Sequence, residues 1–288
     1  MKLAEDPLVS TEWLAEHLGA EKLRIVDASF KMPGSVPHPR EDYVDTHIPG
    51  AVYFDIDAIA DRTTPLPHML PSAVSFAHDV AALGISDDDL IVIYDSGSWL
   101  GAARVWWMFL SFGHADVKVL DGGLKKWVAE GCPTESGNAE PKPGNFTATL
   151  EQAYVRNKQQ VLGNVDSRAE QLVDARSRER FEGTAAEPWP GRRSGHIPGS
   201  SNVPFGELID PVTGAMQPLA DLRRAFDAAD VDFKHPIVTS CGSGVSAAVL
   251  TLALHRLGVR SSALYDGSWA EWGLPDGPAI ATGSGIDS

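Results

Sequence analysis

Short runs of aliphatic and β-branched residues recur along the chain, separated by stretches whose apolar positions repeat with a helical period. In the first half Leu23-Arg24-Ile25-Val26-Asp27, Leu90 to Tyr94 and Val117-Lys118-Val119-Leu120 read as strands, and Phe76 to Leu83 and Ala102 to Phe112 read as helices. A β-α-β-α-β order predicts a parallel sheet, because parallel neighbours need crossover connections and the helices that supply them cover both faces. Ligand sites in such sheets lie at the C-terminal ends of the strands.

The pattern occurs twice. Asp45-Thr46-His47-Ile48-Pro49-Gly50-Ala51-Val52 is echoed by Ser194-Gly195-His196-Ile197-Pro198-Gly199-Ser200-Ser201, Ile91 to Asp95 by Ile237 to Cys241, and Asp121 to Trp127 by Asp266 to Trp272. The spacings from His47 to His196, Asp95 to Cys241 and Asp121 to Asp266 are 149, 146 and 145 residues. Ordered matches at one long period mean two copies of a complete domain, not a solenoid repeat. The stretch Pro133 to Asn145 is rich in Pro, Gly and polar residues and reads as the connection. We therefore expect domains at 1–135 and 151–288 with residues 136–150 as linker.

Composition narrows the classes. With 288 residues, 43% hydrophobic content and a net charge of -15, the chain is globular and carries no basic stripe, which excludes nucleic acid as an expected partner. Its two cysteines, Cys132 and Cys241, do not make a disulfide scaffold. No long apolar run predicts a membrane span, and the start Met1-Lys2-Leu3-Ala4-Glu5-Asp6-Pro7 lacks the apolar segment of a secretory signal. A cytoplasmic location is the expectation.

Cys241 is the residue that most sharply suggests chemistry. The strand-like run Ile237-Val238-Thr239-Ser240 stops at it, passes through Gly242-Ser243-Gly244-Val245-Ser246 and resumes as an apolar helix. Alternate glycines let backbone N–H groups turn inward, and with the helix dipole such a nest favours a thiolate. The first copy has Asp95 in the matching place, which cannot carry sulfur, so the catalytic copy is the second. The loop lacks the arginine and the preceding histidine of a cysteine phosphatase, since positions 247 and 240 are Ala and Ser. A solitary activated thiol in a neutral cradle suits a persulfide that is formed and passed on.

The duplicated HIPG element, the Cys241-Gly242-Ser243-Gly244-Val245-Ser246-Ala247 loop and the Asp266-Gly267-Ser268-Trp269-Ala270-Glu271-Trp272-Gly273 ending together resemble the tandem-rhodanese sulfurtransferases. The uncharged loop is similar to that of the 3-mercaptopyruvate branch, and the resemblance runs from Trp13 to about Gly277. It implies an α/β chain of two tandem rhodanese-like domains, each a parallel sheet flanked by helices on both faces. It also implies sulfur transfer from 3-mercaptopyruvate, through a Cys241 persulfide, to cyanide or a thiol acceptor such as a thioredoxin-like protein, with no metal and no organic cofactor. Thiosulfate as donor, or a persulfide relay without turnover, are the alternatives.

Carried over by motif, Arg180 of Arg180-Phe181-Glu182-Gly183-Thr184 is the substrate arginine, and Gly242, Gly244, Val245 and Ser246 contribute the loop contacts. A planar monocarboxylate suits an arginine fork outside the loop, whereas a compact dianion such as thiosulfate would favour cationic side chains within it, and the loop has none. The family often has a second arginine after the Glu-Pro of this region. Here Trp189 follows Glu187-Pro188, which leaves Arg192 or Arg193 to supply that charge. The same resemblance implies a proton relay of Ser243, His68 and Asp57. On the residues alone, His68 could equally bond backbone in its proline-flanked loop, and Asp57 could cap a helix starting at Ala58.

Overall fold

A computed structural model describes residues 6–32 and 34–284; residues 1–5, on which part of the targeting expectation rests, lie outside this range. The chain forms two compact units. The first contains the residues up to Asp61, Leu70–Glu151 and Asp210–Met216; the second contains Arg62–Met69, Gln152–Ile209 and the residues from Gln217 on. The division of the main chain after Glu151 is accompanied by an exchange of two short segments that the order of the sequence does not disclose.

In the first unit the elements are β1 (Leu8–Val9), α1 (Thr11–His17), β2 (Leu23–Asp27), α2 (Pro39–Asp45), β3 (Ala51–Tyr53), α3 (Ala73–Ala82), β4 (Leu90–Tyr94), α4 (Leu100–Ser111), β5 (Val117–Leu120) and α5 (Gly123–Ala129). The second repeats them as β6 (Val155–Arg156), α6 (Lys158–Ser167), β7 (Gln171–Asp174), α7 (Arg178–Glu182), β8 (Ser201–Asn202), α8 (Leu219–Asp227), β9 (Ile237–Ser240), α9 (Ala247–Arg256), β10 (Ala263–Tyr265) and α10 (Ser268–Trp272). The sheets run β1-β5-β4-β2-β3 and β6-β10-β9-β7-β8, parallel throughout. The two strand orders correspond element for element, the structural counterpart of the sequence repeat.

The three strands expected in the first half occupy the expected residues. The helix expected from Phe76 starts at Ala73, because the Ser72 hydroxyl accepts from the Ser75 N–H at 3.1 Å and caps the turn before the apolar period begins. The stretch expected as linker has no helix or strand, yet it is bonded onto the first unit. Trp127 Nε1 donates to the Pro133 carbonyl at 2.7 Å, the Gly144 N–H to Ala81 at 2.8 Å, and Phe146 is buried against Phe76 and Phe109. The segment exchanged into this unit is held likewise: Trp99 Nε1 donates to Gly214 O at 2.7 Å, and the Met216 N–H to Asp121 Oδ1 at 2.9 Å.

Both HIPG elements are structural turns that lead into β3 and β8. His47 stacks on Tyr43 with centroids 4.2 Å apart and donates from Nδ1 to its carbonyl at 2.7 Å; His196 stacks on Phe181 at 3.9 Å and donates to its carbonyl at 2.8 Å. Gly50 and Gly199 both have φ of +78°, the left-handed region where a Cβ is costly. Repetition of the same torsion at both sites explains why this tetrapeptide survives in both copies while their chemistry differs.

The loop after β4 shows what its shape is built to hold. The Asp95 carboxylate, 2% exposed, turns back into it: Oδ1 accepts from the N–H groups of Gly97 at 2.8 Å and Trp99 at 3.2 Å, and Oδ2 from the Ser98 hydroxyl at 3.0 Å and the Ala102 N–H at 3.3 Å. The nest therefore contains an anion supplied by the protein itself. Beside it, burial and then the nearby charge of Asp95 act on Asp27. Burial raises the Asp27 carboxyl from 3.8 to about 6, although the Ser29 N–H donates to Oδ1 at 2.8 Å.

Two outcomes follow from these buried acids. The neutral form of Asp27 is favoured by folding, so below pH 3.8 it contributes nothing, the penalty grows as pH rises towards about 6, and it is fully present above that. Asp27→Asn, which keeps the acceptor for Ser29, should raise stability at pH 7–8 by up to about 3 kcal/mol. The gain should shrink to nothing near pH 4 in denaturant titrations at both pH values. Asp95→Ala strands the buried N–H groups of Gly97 and Trp99 and should cost about 2–4 kcal/mol. Added sulfate should recover part of the lost melting temperature by entering the emptied nest, with no such response in the parent protein.

Candidate active site

In the second unit the matching loop joins β9 to α9. The four residues of β9 are all buried, as expected of a central parallel strand covered on both faces, and Cys241 follows at 1% exposure. Its loop is tied down through its carbonyls. Trp269 N–H donates to Cys241 O at 3.0 Å and Ala270 N–H to Gly242 O at 2.7 Å, while the Cys241 N–H donates to the Ser268 hydroxyl at 3.2 Å. Ser268 in turn donates to Tyr265 O at 2.7 Å and holds φ at +46°, a strained torsion for serine that its two hydrogen bonds maintain.

With the carbonyls turned outward and Gly244 at φ +78°, the amides face the other way. Among the described residues, the N–H groups of Gly242, Ser243, Val245 and Ser246 have no acceptor from the protein. At the corresponding amides of the first unit, Gly97 and Trp99, the acceptor is Asp95. The same backbone thus meets an internal carboxylate in one unit and a buried thiol in the other.

Arg180 lies on α7, whose N-terminus is capped by Ser177, and not in an open loop. Its guanidinium reaches over the cysteine loop: a Cβ on Gly242 would lie 3.0 Å from Nη2, a tight contact that glycine avoids. Glu187 grips the side edge of the guanidinium, accepting from Nε at 3.3 Å and Nη2 at 2.5 Å. Glu187 also accepts from Arg176 Nη1 at 2.7 Å, and Arg176 forks onto Asp174, donates to Gly195 O at 2.8 Å and lies over the Trp269 ring at 4.4 Å. The side chains of Arg176 and Glu187 are fully buried, whereas that of Arg180 is 26% exposed. Burial opposes the charge on Arg176, but Asp174 and Glu187 outweigh it and hold the guanidinium protonated.

The remaining candidates are distributed unevenly. His68 comes with the exchanged segment Arg62–Met69 and places Nδ1 3.0 Å from the Ser243 hydroxyl, both residues being buried. Its φ of +59° is another torsion that a β-carbon resists. Trp189 is half-buried and meets the His68 ring edge-on, 6.3 Å between centroids. Arg192 and Arg193 are engaged with backbone: Arg192 Nε donates to Ala270 O at 2.8 Å, and Arg193 Nη2 to Trp272 O at 3.0 Å and Pro278 O at 2.8 Å. Val245 of the loop is buried, and Ser246 precedes α9 without making a side-chain cap.

Asp57 belongs to the first unit and is exposed. No helix starts at Ala58. The residues form a turn in which Asp55, not Asp57, is the cap, with Oδ1 accepting from Asp57 N–H at 3.0 Å and Ala58 N–H at 3.1 Å. Sequence reasoning passed over Glu187, Arg176 and Ser268. A signal existed for Arg176: the copies differ at one place, Asp27-Ala28-Ser29 against Asp174-Ala175-Arg176, so the buried acid gains a partner only in the unit with the thiol.

Comparison with known proteins agrees with this architecture. Residues 10–130 and 157–274 each match the rhodanese-like domain. The chain is 42% identical to the 3-mercaptopyruvate sulfurtransferase of Rattus norvegicus and 44% identical to the thiosulfate sulfurtransferase of Bos taurus, covering 92% of this chain and 91% of the relative in both cases. The crystal structure of SseA from Escherichia coli, described as a 3-mercaptopyruvate sulfotransferase with the rhodanese fold, superposes with a TM-score of 0.84 at 39% identity, covering 92% of this chain and 99% of that one. Two matched domains, one strand order repeated and a thiol-bearing loop in the second domain establish that the chain belongs to the rhodanese-like family, with the domain in tandem.

Proposed function

We propose that the chain is a sulfurtransferase that takes sulfur from 3-mercaptopyruvate onto Cys241 and hands it to a thiol or to cyanide. The observation that carries this reading is the set of loop amides that, among the described residues, lack a protein acceptor beside a buried cysteine, with the Arg180 guanidinium over Gly242 of the same loop. The substrate carboxylate takes the free edge of the Arg180 guanidinium, where planar fork meets planar fork. The Cys241 thiolate attacks the substrate sulfur; an S–S bond forms, the C–S bond breaks, and the electron pair leaves as the enolate of pyruvate, which a proton converts to pyruvate. The loop amides stabilise the anionic persulfide. In this reading Ser243 delivers the proton to the leaving enolate, a role that its hydrogen bond to His68 supports.

In the second half-reaction an acceptor thiolate attacks the terminal sulfur and releases Cys241. The partners are thus a small sulfur donor and a thiol acceptor of thioredoxin-like chemistry. Nucleic acid is disfavoured by a net charge of -15. Among the described residues no helix is long and apolar enough to cross a membrane. A reducing, cytoplasmic compartment suits a protein whose two cysteines are both free. Thiosulfate is the competing donor. The bovine relative bears that activity in its name, and Trp189 removes one arginine that would hold a carboxylate; against it stands the uncharged loop.

The thiol assignment has a direct readout. After treatment with mercaptopyruvate, intact mass should rise by one sulfur that maps to Cys241; Cys241→Ser should abolish both the adduct and turnover, and Cys132→Ser should leave both. Turnover of donor and acceptor by the chain alone separates an enzyme from a passive relay.

Substrate grip is tested by kinetics. Arg180→Ala should lower kcat/KM for mercaptopyruvate by about 2–4 kcal/mol, chiefly through KM, and Arg180→Lys should recover only part, since an ammonium cannot reproduce the fork. Trp189→Arg should lower KM for mercaptopyruvate. The parent chain should prefer mercaptopyruvate to thiosulfate by kcat/KM; the reverse preference would move the proposal to thiosulfate.

A further inference from the structure

Arg180 can bind an anion along two edges, the side formed by Nε and Nη2 and the end formed by Nη1 and Nη2. Glu187 occupies the first, through Nε at 3.3 Å and Nη2 at 2.5 Å. Nη1 makes no hydrogen bond to any described residue, and it lies, with Nη2, over Gly242: a Cβ there would be 4.0 Å from Nη1 and 3.0 Å from Nη2. The carboxylate of Glu187 therefore determines which edge of the arginine is offered over Gly242, next to Cys241 in the chain.

Glu187 also sets the charge behind that edge. Its side chain is fully buried, so its field is little screened by water or salt. It closes an alternating row, Asp174, Arg176, Glu187 and Arg180, whose formal charges sum to zero, each neighbour in contact at 2.5–2.7 Å. The catalytic loop adds no charged side chain, and Trp189 adds none beside it. An incoming anion finds a well-oriented pair of donors without a net positive site. A planar monocarboxylate needs only the donors. A compact dianion feels the buried Glu187 charge twice over and gains no compensating cation.

We propose that Glu187 is a positioning and specificity-determining residue: by occupying the side of Arg180 and cancelling its charge, it restricts the site to monocarboxylate sulfur donors and disfavours inorganic dianions. The proposal deepens the sulfurtransferase reading and rests on it. Asp174 and Arg176 retain each other, the Gly195 carbonyl and the Trp269 face when Glu187 is neutralised, so the fold has the means to tolerate the change.

The test compares Glu187→Gln and Glu187→Asp with the parent chain in kcat/KM for mercaptopyruvate and for thiosulfate, measured at low and moderate ionic strength. Glu187→Gln keeps size but loses charge, and the ratio of mercaptopyruvate to thiosulfate efficiency should fall by about tenfold or more, a plausible size for one buried charge acting on one extra ligand charge. Glu187→Asp keeps charge but loses reach; both efficiencies should drop while the ratio stays within about threefold, the scale of context effects on such contacts. Equal losses for both donors in Glu187→Gln, or the same ratio change in both variants, would overturn the proposal.

Should the glutamine variant fail to fold, the parent chain still decides. Pyruvate should inhibit competitively at concentrations at least tenfold below those of sulfate, and equal potency of the two anions would refute the charge argument. Failure of the underlying reading looks different: the parent chain would then turn over neither donor and form no persulfide.

Discussion

A buried backbone N–H needs an acceptor, and the loop that follows the central strand of each unit presents several of them on one side. That constraint underlies the division of labour in this protein. In the first unit Asp95 supplies the acceptor from within, and the loop is complete. In the second, the side chain at the same place is the short thiol of Cys241, which leaves the amides to whatever anion the chemistry brings. The two loops share one backbone design; a carboxylate converts it into a structural plug and a thiol into a reactive cradle. The filled loop in one copy and the open one in the other are the same physical demand met in two ways.

The second constraint is the treatment of buried acids at the end of the strand next to the central one. Asp27 and Asp174 occupy equivalent positions on β2 and β7, but among the described residues an arginine pairs with Asp174 and none with Asp27. Asp27 is consequently pushed towards its neutral form, whereas Asp174 begins a row of ion pairs that ends at the edge of the catalytic loop. A buried ion pair alone is weak evidence of stability, since desolvation offsets much of the attraction. Its value here is geometric. Arg176, stacked on Trp269 and forked onto Asp174, is a rigid base for Glu187, and Glu187 in turn orients the partly exposed Arg180.

Part of the backbone strain falls in the same region. Ser268 and His68, neither of them glycine, adopt positive φ, and each makes a hydrogen bond at the cysteine loop. In the first copy the residue matching Ser268 is Gly123, which takes φ of +59° with no steric cost. A serine held in the torsion that its counterpart reaches as glycine indicates that the hydroxyl, bonded both to Tyr265 O and to the Cys241 amide, is worth more to this unit than the relaxed backbone.

Much of this was legible in the residues. Periodic burial writes itself into sequence, so β2, β4 and β5 were readable to the residue, and the repeated HIPG torsion and the Asp95 to Cys241 exchange exposed both the duplication and the copy that carries chemistry. Helix starts were less so, because Ser72 caps α3 ahead of its apolar face. What the sequence determined by itself was therefore the fold class, the tandem repeat and the difference between the two loops, Asp95 against Cys241, since each depends on local period or on comparison of one copy with the other. The tertiary structure decided the rest: that Arg62–Met69 brings His68 to Ser243, that Asp55 and not Asp57 caps its turn, that Arg192 and Arg193 bond backbone carbonyls, and that Glu187 joins Arg176 to Arg180. These contacts join irregular segments whose paths are set by packing, and a side chain's partner there depends on where the backbone is carried, which no residue spacing encodes.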